Sequence, residues 1–306
     1  MTAMNVALAS LVGPEFLVSG PVQTAIVVGG GAALVSAVIG VFTVMRGQSF
    51  AGHALADVSS AGGAASLLLG IHPLLGFLIM AVLAAVGMEM IRIRRARERD
   101  LVTGVVLGAG LGLAALFLYF DVISHSTTGA AITVMFGSMF AIPAGIVAPA
   151  LAVASASLML VAALYRPLLL SSVDPELAAL QGVRVRLVGL LHLLALALAV
   201  SLSAITVGAI LSTALLVGPA AIALRVTRRP WQALLLSAVI GVLATWTGIL
   251  LAWESYYWTP GRGWPVSFFV VTLIFALYVA AGWRSRNARR ARDVATTSGV
   301  TRQGGA

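Results

Sequence analysis

The sequence predicts an all-α, polytopic membrane protein with eight or nine transmembrane helices, and three observations support that reading. The 306 residues are 60% hydrophobic and only 9% charged, with a mean hydropathy of +1.04, a balance that water-soluble domains do not sustain. Apolar runs of roughly 20 residues, the length of helix that crosses a bilayer, recur from Pro21 to Trp283. These runs are continuous and do not alternate with period two, which disfavours a transmembrane barrel.

Charge gives the direction of threading. The net charge is +9 and all 19 basic residues are arginine. Eighteen of the 19 cluster at Arg46, Arg92 to Arg99, Arg166, Arg184 and Arg186, Arg225 to Arg229, and Arg284 to Arg302, leaving Arg262 alone. These are short inter-span segments, so the pattern reads as the positive-inside bias and not as a nucleic-acid surface. The sequence contains no cysteine, which excludes disulfides, thiolate metal sites and iron–sulfur clusters and leaves only nitrogen and oxygen ligands for any metal.

Residues 1–20 contain Pro14 and Glu15 but no basic residue and read as an extracytoplasmic N-terminal segment. No basic n-region precedes Arg46, so a cleavable signal peptide is not expected. The transmembrane domain is read as residues 21–283. Its first span, Pro21 to Met45, carries the run GGGAA at Gly29 to Ala33, a thin face for close helix packing. The second span, Gly52 to Gly70, contains His53 and Asp57 followed by Ser59, Ser60, Ala61, Gly62 and Gly63. After a turn at His72 and Pro73, the third span runs from Leu74 to Ile91 and ends in RIRRARERD.

The fourth span, Leu101 to Phe120, leads to a polar outer loop expected at Asp121 to Gly129. Pro143 and Pro149 divide the next stretch into an entry segment, Ile132 to Phe140, and a span, Gly145 to Leu164. The polar insertion LLSSVDPELAALQGVRVR follows, with arginines on both flanks. Leu187 to Leu224 is too long for one crossing and reads as two, joined by a turn within Ser201 to Gly208. Trp231 to Leu251 crosses outward, and WESYYWTPGRGW forms an outer loop rich in interface aromatics. Pro265 to Trp283 returns to a basic tail, residues 284–306, whose composition predicts disorder. The total is nine crossings, or eight if one is re-entrant, with the N-terminus outside and the C-terminus cytoplasmic.

His53 and Asp57 are the side chains around which the rest is organised. Four residues of helix place them on one face, one turn apart. Imidazole plus carboxylate makes half of a coordination shell for a divalent transition metal such as zinc or manganese. A hydrogen-bonded pair or a helix cap is the plainer alternative, but ionisable groups inside an apolar span are costly and line pathways. His192, alone on an apolar span, reads as a helix-packing group that would complete the site if it faced Asp57. Glu89 is expected to snorkel or pair with arginines. His72 and His125 are expected in outer loops, and Ser212, Thr213 and Gly218 in close packing.

Ser171 to Arg186 reads as a short cytoplasmic helix. Ser172 is positioned to cap it, Pro175 and Glu176 suit its first turn, and Gly182 ends it, with Leu177, Leu180 and Val183 along one apolar edge. An amphipathic helix lying on the membrane surface is the alternative. No GxxxxGK[ST] phosphate loop is present and there is no lysine to complete one. No hydrolase or kinase constellation is visible, so the chain does not read as an enzyme.

Three blocks resemble the permease subunit of bacterial zinc and manganese ABC importers: VMRGQSFAGHALADVSSAGG at Val44 to Gly63, SSVDPELAALQGVRVR at Ser171 to Arg186, and VGAILSTALLVGPAAIALRVTRR at Val207 to Arg229. The resemblance implies a type II ABC importer permease fold in the bacterial cell membrane, Zn2+ or Mn2+ as transported substrate with no resident cofactor, and metal contact by His53 and Asp57. It also implies that 171–186 is a coupling helix, with Asp174, Glu176, Leu177, Leu180 and Gly182 engaging the ATPase. The implied partners are a cytoplasmic ABC ATPase, an extracytoplasmic metal-binding protein, a second permease chain and membrane lipid, and nucleic acid is not among them. Two departures stand out. Family members commonly have an acidic residue at the position of His53 and histidine at that of Asp57, and PVSFFV at Pro265 to Val270 lacks the usual Ser-Gly step. A proton-coupled secondary metal carrier, an ABC permease for siderophores or corrinoids, and a membrane protein without a transport role are the competing readings.

Overall fold

The computed structural model describes residues 16, 18–90, 96–125, 128–258 and 263–283, with the backbone alone at 96–99, 125, 128 and 130. Most of the expected N-terminal segment, the arginine side chains of 92–99, Arg262 and the tail 284–306 lie outside the described residues. The helices are α1 (Gly20–Met45), α2 (Ser49–Leu68), α3 (Pro73–Met90), α4 (Ala96–His125), α5 (Thr128–Phe136), α6 (Val147–Ala163), α7 (Tyr165–Val173), α8 (Pro175–Leu180), α9 (Val185–Val207), α10 (Ala209–Val226), α11 (Pro230–Trp258) and α12 (Val266–Trp283). Eight of these segments are long and apolar enough to cross a membrane. The 20-residue α2 is the ninth by length, and it falls short on hydropathy because it carries His53, Asp57, three serines and three glycines after Ser49.

Burial explains how so polar a helix is tolerated. Every residue of α2 from Ala54 to Ala64 is buried, enclosed by α3, α4, α9 and α10, so its polar groups meet protein instead of lipid. Helices α1 and α9 form the rest of the centre and are 72% buried over their apolar windows, against 22% for α4 and 28% for α3, α6 and α12. The outer helices turn Leu83, Leu101, Val105, Leu235 and Phe275 outward, as a lipid-facing surface requires.

Lipid supplies no hydrophobic drive between helices, so small residues and interhelical hydrogen bonds hold them. The hydroxyls of Ser36 (α1) and Ser203 (α9) are 2.5 Å apart. Ser157 of α6 donates to the Ala195 carbonyl at 3.1 Å, and Ser237 of α11 to the Ala37 carbonyl at 2.8 Å. Gly62 of α2 lies against the Gly76 carbonyl of α3, and a Cβ on Gly76 would collide with the Ser66 hydroxyl and the Gly62 carbonyl.

Four expectations change. Where an outer loop was expected from Trp253, α11 continues through WESYYW to Trp258. The segment expected as an outer loop from Asp121 instead continues α4 as far as His125, because no glycine or proline interrupts it before Gly129, and Asp121 is buried. The turn between the paired crossings contracts to one residue, Gly208 (φ 92°), between α9 ending at Val207 and α10 starting at Ala209. Gly137 (φ 75°) packs against it backbone to backbone, and both positions require glycine for conformation and for space. The insertion 171–186 is not one helix: it takes in the end of α7, Asp174, the short α8, a turn at 181–184 and the first two residues of α9.

Gly76→Val is expected to force α2 and α3 apart and destabilise the protein by about 1–3 kcal/mol. Thermal unfolding of the purified protein checks this, with Gly87→Val, which has open space around it, expected within about 0.5 kcal/mol of the parent.

Candidate metal centre

The site begins in the tight connection between α1 and α2. Arg46 ends α1, Gly47 adopts φ 64°, and α2 starts at Ser49, which sets His53 about one turn in from the arginine-bearing end. Asp57 follows one turn deeper. The His53 Nε2 lies 3.8 Å from Asp57 Oδ2, with the imidazole 35% exposed and the carboxylate 5% exposed. That separation is too long for a hydrogen bond. Two donors at metal–ligand distances of 2.0–2.2 Å stand about 3.4 Å apart in a tetrahedral shell, so a shift of a few tenths of an ångström would bring both onto one ion.

The ring's other nitrogen is engaged: His53 Nδ1 lies 2.9 Å from Thr213 Oγ1 on α10. Both residues line an apolar groove of about 540 Å³ bounded by Phe50, Val217, Ile274 and Tyr278. Its wall on α12 is fixed by Tyr278, whose ring lies 4.1 Å beneath the Arg225 guanidinium and whose hydroxyl accepts a hydrogen bond from Arg225. A histidine at the edge of an otherwise apolar groove, with a buried carboxylate one turn away on the same helix, can hold a cation without fixing it in a closed cage.

His192 does not join them. It is fully buried on α9, its Nε2 lies 3.4 Å from Thr43 Oγ1, and its Nδ1 has no hydrogen-bond partner among the described residues. Among those residues no group of three or more His, Asp or Glu side chains is close enough together to ligate a metal. Glu89 pairs with Arg186 at 3.8 Å, as expected. His72 is exposed and its Nδ1 accepts from the Leu74 amide at 3.3 Å. The side chain of His125 lies outside the described residues.

In the second block the N-cap is Asp174, not Ser172. Asp174 has extended backbone (φ −144°, ψ 100°), as the residue before a proline prefers, and its Oδ1 accepts from the Glu176 and Leu177 amides at 3.0 and 2.9 Å. The Ser172 hydroxyl instead donates to the Leu168 carbonyl inside α7 at 2.6 Å. Glu176 and Leu177 are exposed and Leu180 is 86% exposed. Gly182 ends the turn at φ 81°, and Ala178 anchors the buried side.

Two contacts were missed by sequence reasoning. Thr213 was read as packing but reaches His53. Ser171 was read as the start of the cytoplasmic helix with no contact assigned to it, but it accepts from Arg46 Nη1 at 3.0 Å, joining α7 to the start of the α1–α2 connection. Pairings between residues more than 100 positions apart leave no trace in spacing along one chain.

Comparison with known proteins agrees with this architecture. A manganese import system permease protein, ScaB, of Streptococcus parasanguinis is 31% identical over 76% of this chain and 80% of its own. A manganese transport system membrane protein, MntC, of Listeria innocua is 29% identical over 84% of this chain and 89% of its own. The solved structure of PsaBC from Streptococcus pneumoniae in complex with Fab shares the fold at a TM-score of 0.75 and 23% identity, over 87% of this chain and 92% of that one. The model of the ABC 3 transport family matches residues 20–285. With α1 to α12 spanned by that match, the chain belongs to the ABC 3 transport family and is a membrane-embedded, metal-type ABC permease.

Proposed function

We propose that this chain is the permease subunit of an ABC importer for divalent transition metal ions, with manganese as its substrate ahead of zinc, and that His53 and Asp57 hold the ion in transit. The observation that supports the site is the pair itself: an imidazole at the edge of a groove and a buried carboxylate one turn deeper, inside a helix whose other residues are small or apolar. In a lipid setting an uncompensated carboxylate is expensive, and a passing cation compensates it. Nitrogen and oxygen donors with no thiolate suit manganese and zinc, and the manganese relatives favour the first.

Two donors per chain leave a coordination shell half filled. A second copy related by a two-fold axis supplies the same two donors again, making four. The chain has no phosphate loop of its own, so the energy comes from a separate cytoplasmic ATPase, with a metal-binding protein delivering the ion from outside. In this reading the arginine-bearing end of the bundle is cytoplasmic, in a bacterial plasma membrane. Helix α8 is short, capped by Asp174 and tipped by exposed Leu177 and Leu180, a form suited to docking in a cleft of the ATPase. A displacement of α8 passes through α7 to Ser171 and Arg46, and so to the connection that leads into α2 and His53.

His53→Ala and Asp57→Ala should each reduce manganese uptake by at least about 10-fold while inserting normally. Parental uptake by both variants removes the site assignment. Leu180→Asp should abolish uptake and weaken association with the ATPase while metal binding by the permease stays at its parental affinity. Uptake that survives exchange of 173–182 for a Gly/Ser linker would instead support a proton-driven carrier. A tag placed after Ala306 should resist protease added to intact cells, and cleavage there would reverse the orientation.

A further inference from the structure

Thr213 stands across the groove from α2, and its contact with His53 is specific. The neighbouring Ser212 turns its hydroxyl back to the Ala209 carbonyl at 2.7 Å, so of this adjacent pair only Thr213 reaches the ring, at 2.9 Å from Nδ1. Pinning Nδ1 leaves Nε2 on the side of Asp57, 3.8 Å away. Packing does not require the hydroxyl, because valine has the same shape and would fill the same apolar wall.

We infer that Thr213 is a positioning residue for the transported cation: its hydroxyl orients His53 so that Nε2 is the ligand atom, and it serves the ring in both the loaded and the empty site. This inference rests on the reading that His53 meets the metal. Metal on Nε2 requires the ring proton on Nδ1, and Thr213 Oγ1 then accepts from Nδ1–H. With the site empty, Nε2–H faces the Asp57 carboxylate, and the Thr213 hydroxyl donates to Nδ1.

A hydroxyl is suited to this because it both donates and accepts. A carboxylate or a carbonyl at the same place would only accept. It would hold the proton on Nδ1 permanently and strengthen metal binding, as in resident metal sites. A transport site must capture its ion yet surrender it, and a partner indifferent to the tautomer keeps affinity moderate without letting the ring swing away.

The test uses the permease–ATPase complex in lipid nanodiscs, titrated with manganese(II) and read by the electron paramagnetic resonance signal of the free ion. Thr213→Val is expected to bind about 10-fold more weakly than the parent, with Thr213→Ser returning to within about two-fold. Thr213→Ala should match Thr213→Val and replaces it if the valine protein does not assemble. A second readout separates positioning from packing. The chain has four histidines, so nitrogen-15 labelling of histidine, with His53→Ala to identify the signals, resolves the His53 ring. Zinc, which is diamagnetic, should move the proton from Nε2 to Nδ1 in the parent and in Thr213→Ser, while Thr213→Val shows no single tautomer in the empty site. Parental manganese binding and parental ring signals in Thr213→Val and Thr213→Ala would overturn the inference. If His53→Ala still loses binding in that case, only the role of Thr213 falls, and if His53→Ala also binds as the parent does, the metal centre itself is misplaced.

Discussion

One constraint shapes this protein: a carboxylate and an imidazole must sit inside a membrane, on a helix that lipid alone would not accept. Asp57 is 4% exposed, and an ionisable group at that depth is stable only if protein surrounds it. The bundle meets the requirement by enclosing α2 within α3, α4, α9 and α10 and by making its packing faces thin. Gly62 against Gly76, Gly63 against Phe77 and Gly110 against Val58 leave no room for a Cβ. Close backbone approach removes voids where lipid chains would intrude, and it also gathers dispersion contacts in the absence of a hydrophobic drive. The apolar spans at the periphery therefore act as the solvent-facing coat of a polar core element.

The same physics decides what the sequence revealed. The outer helices were legible because their hydropathy reports contact with lipid, and α2 was legible for the opposite reason, as a span-length segment with two ionisable side chains in register. Gly208 was placed only within an eight-residue window, since a single positive-φ residue can replace a whole turn when a second backbone, here at Gly137, packs against it. The end of α4 was misread because polar residues at a span boundary resemble a loop whether or not the helix continues. Asp121 turns inward there, and burial cannot be seen from composition. Of the candidate site, the His53–Asp57 register was legible from the 3.6-residue period, whereas the hydrogen bond to Thr213 depends on α10 crossing α2.

The cap of α8 illustrates a local rule that outweighs another. Ser and Asp are comparable caps in isolation, but only Asp174 precedes a proline, and that fixes it in extended backbone where its carboxylate meets two free amides. Ser172, two residues earlier, is still helical and bonds back to its own turn. The result is a break between α7 and α8 that leaves Leu177 and Leu180 exposed while Ala178 and Leu168 are buried.

The three motif blocks, far apart in the chain, are brought into contact by the fold. Arg46 of the first block donates to Ser171 of the second, and His53 of the first pairs with Thr213 of the third. The third block then continues to Arg225, which holds Tyr278 on the far wall of the groove. In this setting the two ionisable groups of α2 have different surroundings. His53, one turn nearer the arginine-bearing end, lies at the groove within reach of the Thr213 hydroxyl, while the Asp57 carboxylate, about 6 Å further along the helix, takes the enclosed position, where its charge is screened least.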